Sequence, residues 1–198
     1  MSVYEYLVNE GSSVVLVIRG YLPKLAADIV LAEIKDLEYK QYPSIVPGKM
    51  QPRLNWGCGD EKIVSEYLPD SGKYSGVSTK HPWLLSLKII RDRILKETAI
   101  VYFNSCIINL YRDGSDWIPI HADREALGVG NTVVTISLNG SRDFQVIRNS
   151  DNHKVETTLH HGDLCLMFGE TQKTHKHSIK KTAKYVEPRY ALTYRFLS

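Results

Sequence analysis

The stretch Thr132–Arg148, which reads TVVTISLNGSRDFQVIR, decides the fold. It consists of two β-rich runs separated by the turn residues Asn139-Gly140-Ser141. Further β-rich runs lie before and after it, with turn residues between them: Cys106–Tyr111, Val155–Leu159, Asp163–Phe168 and Tyr190–Phe196. Many short strands at such spacing predict an antiparallel sandwich or barrel, and we expect a jelly roll.

The N-terminal half has a different pattern. Apolar residues at helical spacing predict one helix from roughly Leu25 to Leu37 and another from about Pro82 to Lys96. Between them, Tyr42–Gly76 is rich in proline and glycine, which is typical of surface loop or short strand. We therefore predict an α+β fold, with N-terminal helices (about 1–99) packed on a jelly-roll core (about 100–198). No linker-like segment divides the chain, so 1–198 is predicted to be a single domain.

Composition excludes several classes of protein. The chain has 198 residues, 43% hydrophobic and 24% charged, with a formal net charge of +3, as in ordinary globular proteins. Its three cysteines are too few for a disulfide framework, which favours a reducing, intracellular compartment, nucleus or cytoplasm. No apolar run is long enough to span a bilayer. Met1–Glu10 has no basic residue, so we expect no signal peptide and no membrane association.

The sequence His121-Ala122-Asp123 is the first candidate site. In an extended segment, residues i and i+2 face the same way, so an imidazole and a carboxylate would point at one position. His177 is the best distant candidate for a third ligand, and two histidines with one carboxylate are typical of non-haem Fe(II) oxygenases. Two alternatives remain open from the residues alone. His121 could be an ordinary loop histidine. Alternatively, the chain could be a cupin in which His121 and Asp123 hold a structural metal with one of His160, His161, His175 or His177.

A second candidate feature is the pair Arg189 and Arg195. Their separation of six residues within a strand places both guanidinium groups on one face. Two inward-facing arginines are costly unless an anion neutralises them, and a dicarboxylate ligand would do so. The alternative is an edge strand with both arginines facing solvent. Asn109 and Tyr111 form a similar i, i+2 pair in an apolar strand.

Taken in order, these pieces resemble the AlkB family of Fe(II)/2-oxoglutarate dioxygenases, in particular its DNA-repair branch. The resemblance covers most of the chain beyond the first 40 residues. It rests on these segments: Gln51-Pro52-Arg53, Tyr74-Ser75-Gly76, Asn109–Gly114, His121-Ala122-Asp123, Ser141–Phe144, His161–Leu164, His177-Ser178-Ile179 and Pro188–Arg195.

The resemblance implies Fe(II) as cofactor, with 2-oxoglutarate and O2 as co-substrates. It implies these ligands: His121, Asp123 and His177 for the metal, Asn109 and Tyr111 for 2-oxoglutarate, Arg189 for its distal carboxylate and Arg195 near the carboxylate that chelates iron. His177 is preferred to His175 because Ser-Ile follows it, as in the family pattern. The family often has Asn two positions after the first arginine, where this chain has Ala191. That difference removes one possible hydrogen bond to the co-substrate.

The implied activity is oxidative demethylation of N-alkylated bases, of the 1-methyladenine and 3-methylcytosine type, in DNA. Decarboxylation of 2-oxoglutarate would be coupled to hydroxylation of the methyl group and release of formaldehyde. A base must leave the duplex to reach such a site. The predicted substrate contacts are Tyr74, as a stacking aromatic within a nucleotide-recognition segment, Glu125 at the exocyclic nitrogen, Arg53 on the strand, and Lys180 and Lys181 at the phosphates.

The same motifs are also compatible with other functions. The chemistry could act on RNA or protein, or the chain could be a non-catalytic jelly-roll binding module. The basic cluster that supports nucleic acid contains seven lysines and arginines and one acid between Thr171 and Arg195. Such a cluster suits a phosphate backbone, although a solvated loop would have the same composition. We expect a monomer.

Overall fold

The computed structural model describes residues 3–44, 46–60, 81–98, 102–123 and 132–196. Within these ranges the elements follow in this order: β1 (Val3–Glu10), β2 (Ser13–Arg19), α1 (Lys24–Ile34), β3 (Leu54–Gly59), α2 (Leu85–Thr98), β4 (Ser105–Tyr111), β5 (Ile118–His121), β6 (Val133–Asn139), β7 (Arg142–Arg148), β8 (Lys154–Leu159), β9 (Leu164–Gly169), α3 (Thr171–Thr174), β10 (His175–Ile179) and β11 (Arg189–Arg195). None of these described helices is long and apolar enough to cross a bilayer.

The strands form two antiparallel sheets. The larger has seven strands in the order β1-β2-β9-β6-β11-β4-β3, and the smaller has four in the order β5-β10-β7-β8. One apolar cluster joins the larger sheet to α1 and α2, while a second contains residues of both sheets, such as Val133 and Val146. This is the predicted jelly roll with N-terminal helices packed on it.

Strand β11 separates the two clusters. Its even-numbered residues, Tyr190, Leu192 and Tyr194, belong to the cluster with the helices. Its odd-numbered residues, from Arg189 to Arg195, line a cavity between the sheets. Because side chains alternate along a strand, one seven-residue strand supplies both the helix-facing core and the polar lining of the cavity.

The turn between β6 and β7 is tight, as the sequence predicts. Asn139 adopts a left-handed φ of 63°, which asparagine tolerates better than most residues. A Cβ on Gly140 would lie 2.0 Å from the backbone oxygen of Glu187. The turn is therefore packed under the segment that leads into β11, and only glycine fits there.

The predicted strands are present with small shifts of their ends. The helices are shorter at one end than the pattern indicated, since α1 ends at Ile34 and α2 begins at Leu85. The expectation of surface structure over Tyr42–Gly76 is wrong for β3, because Trp56 and Cys58 are buried against the helices. The N-terminal half is also less helical than expected, since β1, β2 and β3 all belong to the larger sheet.

Candidate active site

The three predicted metal ligands lie close together beside strands β5 and β10 of the smaller sheet. Strands β5 and β10 pair so that His121 lies opposite His177, and their ring centroids are 4.3 Å apart. Asp123 follows two residues after His121, beyond the end of β5. One ligand atom from each of the three residues lies within 4.8 Å of the others. Two imidazoles and one carboxylate at this separation form a donor set that suits a divalent transition metal.

Both histidines present a ring nitrogen to this cluster. His121 Nδ1 donates to the carbonyl oxygen of Pro119 at 2.8 Å, which leaves Nε2, 3.5 Å from Asp123 Oδ1, as the ring nitrogen that faces the cluster. Burial, together with the neighbouring His121, lowers the pKa of His177 to about 3. The His177 ring is therefore neutral near pH 7, as a metal ligand must be.

The carboxylate of Asp123 is held in its charged form. Burial alone would raise its pKa, but the positive charge of Arg195 and a hydrogen bond with His121 outweigh burial and keep the pKa below the ordinary range. Arg195 Nη1 lies 3.5 Å from Asp123 Oδ1. The backbone N–H of Asp123 donates to Gln172 Oε1 at 2.8 Å. Asp123 is thus fixed through both its side chain and its main chain.

A cavity of about 710 Å³ extends from this cluster between the two sheets. Arg189 lies in its wall and is only 1% exposed. Its Nε donates to Ser137 Oγ at 2.7 Å, while its Nη1 has no hydrogen-bond partner among the described residues. Burial lowers the pKa of this guanidinium. A buried arginine that lines a cavity and forms no ion pair with a carboxylate of the described residues is well suited to a carboxylate ligand.

The other predicted co-substrate residues lie on the same wall. Asn109 and Tyr111 are on β4, where they pair with Ala191 and Arg189 of β11. Asn109 Oδ1 accepts a hydrogen bond of 2.7 Å from Arg53 Nε. Arg53, expected on sequence grounds at the nucleic acid strand, is therefore anchored to the wall of the cavity.

The predicted lysines differ in position. Lys181 lines the cavity, and its Nζ lies 5.2 Å from the ring centroid of Trp117, which also lines it. Lys180 is not among the lining residues, and its Nζ is paired with Glu156. Tyr74 and Glu125, the two predicted base contacts, lie outside the described residues.

The alternative metal ligands are engaged elsewhere. His160 Nδ1 lies 2.9 Å from Ser141 Oγ, and His175 Nδ1 lies 2.8 Å from Thr174 Oγ1. His161 Nδ1 accepts from the backbone N–H of Asn139 at 2.8 Å. None of these three histidines belongs to the cluster with His121 and Asp123.

Three residues of the site were missed by sequence reasoning. Ser137 and Gln172 act across 52 and 49 positions of the chain, respectively. No local spacing indicates such contacts. Trp117 lies only four positions before His121, and this short distance is a weak signal that it belongs to the site. Nothing in the sequence assigns it to the cavity.

Comparison with known proteins agrees with this geometry. Residues 14–195 match the model of the 2OG-Fe(II) oxygenase superfamily. Alpha-ketoglutarate-dependent dioxygenase alkB homolog 3 of Mus musculus is 30% identical over 207 residues, which cover 98% of this chain and 70% of the relative. DNA oxidative demethylase ALKBH2 of Bos taurus is 34% identical over 133 residues, covering 62% of this chain and 47% of that protein. The solved structure of OsALKBH1 has a TM-score of 0.65 at 16% identity, covering 97% of this chain and all (100%) of its own, and supports the fold.

These matches define a dioxygenase that uses 2-oxoglutarate and Fe(II). More narrowly, the chain belongs to the AlkB family of these enzymes. Family membership implies Fe(II) as cofactor and 2-oxoglutarate as co-substrate. The His-Asp-His donor set fits the metal, and the unused donor of buried Arg189 fits a carboxylate.

Proposed function

We propose that the protein demethylates N-alkylated bases of the 1-methyladenine and 3-methylcytosine type in DNA. The observation that carries this proposal is that the His-Asp-His cluster and buried Arg189 share one cavity of about 710 Å³. That volume is large enough for a small dicarboxylate together with part of a second molecule. The names of the relatives, which include a DNA oxidative demethylase, support an alkylated base as that second molecule.

Each residue has a defined task in this proposal. His121, Asp123 and His177 hold Fe(II), which supplies the oxidising power once O2 and 2-oxoglutarate are bound. Arg189 pairs with the distal carboxylate of 2-oxoglutarate, and Asn109 and Tyr111 donate hydrogen bonds to it. Arg195 neutralises charge beside Asp123, from which its Nη1 is 3.5 Å away. These side chains orient the co-substrate and keep bulk water from the reacting methyl group.

The mouth of the cavity has the chemistry of a nucleotide-binding surface. Trp117 offers an aromatic face, and Lys181 is held beside it. Lys49 and the exposed Met50 line the same opening. Aromatic and basic side chains together suit a base flanked by phosphates. We propose that Trp117 and Lys181 contact the strand next to the extruded base, with Tyr74, Glu125, Arg53 and Lys180 as the further substrate contacts.

A demethylation panel tests the activity. The protein is incubated with Fe(II), ascorbate, 2-oxoglutarate and single- or double-stranded oligonucleotides of DNA or RNA that carry 1-methyladenine or 3-methylcytosine. Mass spectrometry is expected to record a loss of 14 Da per repaired base in DNA, about one formaldehyde per event. Turnover of the RNA oligonucleotides alone would show that the substrate is RNA and not DNA. Turnover of no nucleic acid would refute the proposal and leave a protein substrate or a binding module.

Two variants make the panel specific. His177→Ala removes a proposed metal ligand and should abolish turnover. His160→Ala is the matched control, because this histidine lies outside the cluster and contacts Ser141. It should demethylate at the rate of the parent protein.

A further inference from the structure

The backbone of Asp123 is held by a side chain from a distant part of the chain. Asp123 lies two residues past the end of β5, so the strand ladder does not bind its N–H. Gln172 Oε1 accepts that N–H at 2.8 Å, and both residues are buried, at 4% exposure for Gln172 and 8% for Asp123. A buried N–H that lost this acceptor would be left without a partner, which is unfavourable.

Gln172 is itself held firmly. It lies on the short helix α3, and its Nε2 donates to Met167 Sδ at 3.5 Å. The preceding residue, Thr171, uses its hydroxyl to bond the main chain of Val14 and Phe168. Helix α3 is therefore tied to β2 and β9 of the larger sheet, and Gln172 links that sheet to the end of β5 in the smaller one.

We propose that Gln172 is a positioning residue for the metal site. By fixing the main chain of Asp123, Gln172 directs the side chain of Asp123 toward His121 and His177. Groups that orient ligands without touching the metal commonly change metal affinity by about 10- to 100-fold. The inference rests on the proposed ligand roles of Asp123, His121 and His177.

The test is an anaerobic Co(II) titration of the full chain, followed by visible absorption. Gln172→Met keeps the length of the side chain and removes the acceptor. Gln172→Asn keeps the amide but shortens it by one methylene group, and it serves if the Met variant does not fold. We expect both to bind Co(II) about 10- to 100-fold more weakly than the parent and with an altered spectrum.

The matched control is Asn149→Ala. Asn149 Nδ2 also bonds α3, through the carbonyl oxygen of Lys173 at 2.8 Å, but it has no contact with Asp123. The dissociation constant of this variant for Co(II) should stay within about twofold of that of the parent. The control therefore distinguishes a general loosening of α3 from loss of the contact with Asp123.

The outcomes distinguish this inference from the site on which it rests. If the parent binds no Co(II), or if His177→Ala binds it equally well, the proposed metal site is wrong. If the parent binds through His177 and a folded Gln172 variant keeps the parent's affinity and spectrum, the positioning role is wrong. Weaker binding by the Gln172 variants, with Asn149→Ala unchanged, supports it.

Discussion

Arg189 is the residue whose burial is most difficult to explain without a ligand. It is 1% exposed, it has a neutral hydroxyl as its hydrogen-bond partner at Nε, and it has an unused donor at Nη1. No carboxylate of the described residues forms an ion pair with it. Burying a guanidinium in this way destabilises the metal-free, ligand-free protein, so the position is costly for the fold and useful for binding.

This argument gives a prediction for Arg189→Met. The variant should lose affinity for 2-oxoglutarate by at least about 30-fold, which corresponds to about 2 kcal/mol for one lost charged partner. It should nevertheless melt no lower than the parent in the absence of ligands, because a buried charge without a carboxylate partner among the described residues has been removed. Thermal melting without ligands measures the second effect, and melting with Mn(II), with and without 2-oxoglutarate, measures the first.

A surface arginine serves as control for that variant. Arg93 pairs with Glu97 on the exposed face of α2, and its side chain is 44% exposed. Arg93→Met should keep the stabilisation by 2-oxoglutarate. If Arg189→Met kept it as well, the assignment of Arg189 to the co-substrate would be wrong.

The residues of the site divide into those that local spacing predicts and those that it does not. The i, i+2 relation of His121 and Asp123 is enough to bring these two candidate ligands together, and the structure has them in one cluster with His177. The six-residue spacing of Arg189 and Arg195 predicts that both lie on one face of the strand, and in the structure both line the cavity. Gln172 could not be predicted, because its role depends on how α3 and the end of β5 meet in space.

At the scale of elements, the apolar strand β4 was predictable, and the short strands β5 and β10 and the glycine-interrupted β3 were not. Strand β4 is buried along its whole length and reads as an apolar run broken by Asn109. Strands β5 and β10 have only four and five residues, respectively, and contain the functional histidines in place of apolar side chains. Strand β3 was obscured by its two glycines and the prolines near it.

Glycines at the ends of strands provide an element-scale prediction. Gly169 ends β9 with a φ of +67°, and a Cβ there would lie 1.9 Å from the backbone oxygen of Ser12. Gly11 has a φ of +55°, but a Cβ there would have no other atom within 4 Å. Gly11→Ala should therefore cost only the left-handed strain, about 1–2 kcal/mol. Gly169→Ala should cost clearly more, because the strand pair must also separate where Glu170 N bonds Ser12 O.

Urea unfolding of both alanine variants measures the difference. The slope of the free energy of unfolding against urea should stay constant, so the midpoints report stability directly. Equal losses of stability in the two variants would show that the close approach at Gly169 is relieved without cost.

For the whole molecule, the central relation is that between the two sheets. Arg19 of β2 joins them at one end, since its guanidinium bonds Glu5 on β1, Thr157 and the carbonyl oxygen of Thr158 on β8, and Asp163. The two sheets also enclose the cavity, with the histidines on the smaller sheet and Arg189 on the larger. Ligands in the cavity would therefore add contacts between the two sheets.

This arrangement predicts synergy between metal and co-substrate in the stability of the whole chain. Mn(II) alone would be held mainly through β5 and β10, and 2-oxoglutarate alone mainly through Arg189. Together they would form one chain of contacts from the smaller sheet to the larger. A ligand at 100 times its dissociation constant adds about 2.7 kcal/mol, or roughly 5–10 °C in Tm for a protein of this size.

The rise in Tm with both ligands should exceed the sum of the rises with each one alone, because each ligand improves the site for the other. Thermal melting at fixed protein concentration, with Mn(II), with 2-oxoglutarate and with both, measures this coupling. The His177→Ala variant should lose both the effect of Mn(II) and the synergy, while keeping any effect of 2-oxoglutarate alone. Strictly additive shifts in the parent protein would mean that the two ligands bind independently, and that the cavity does not join the two sheets through them.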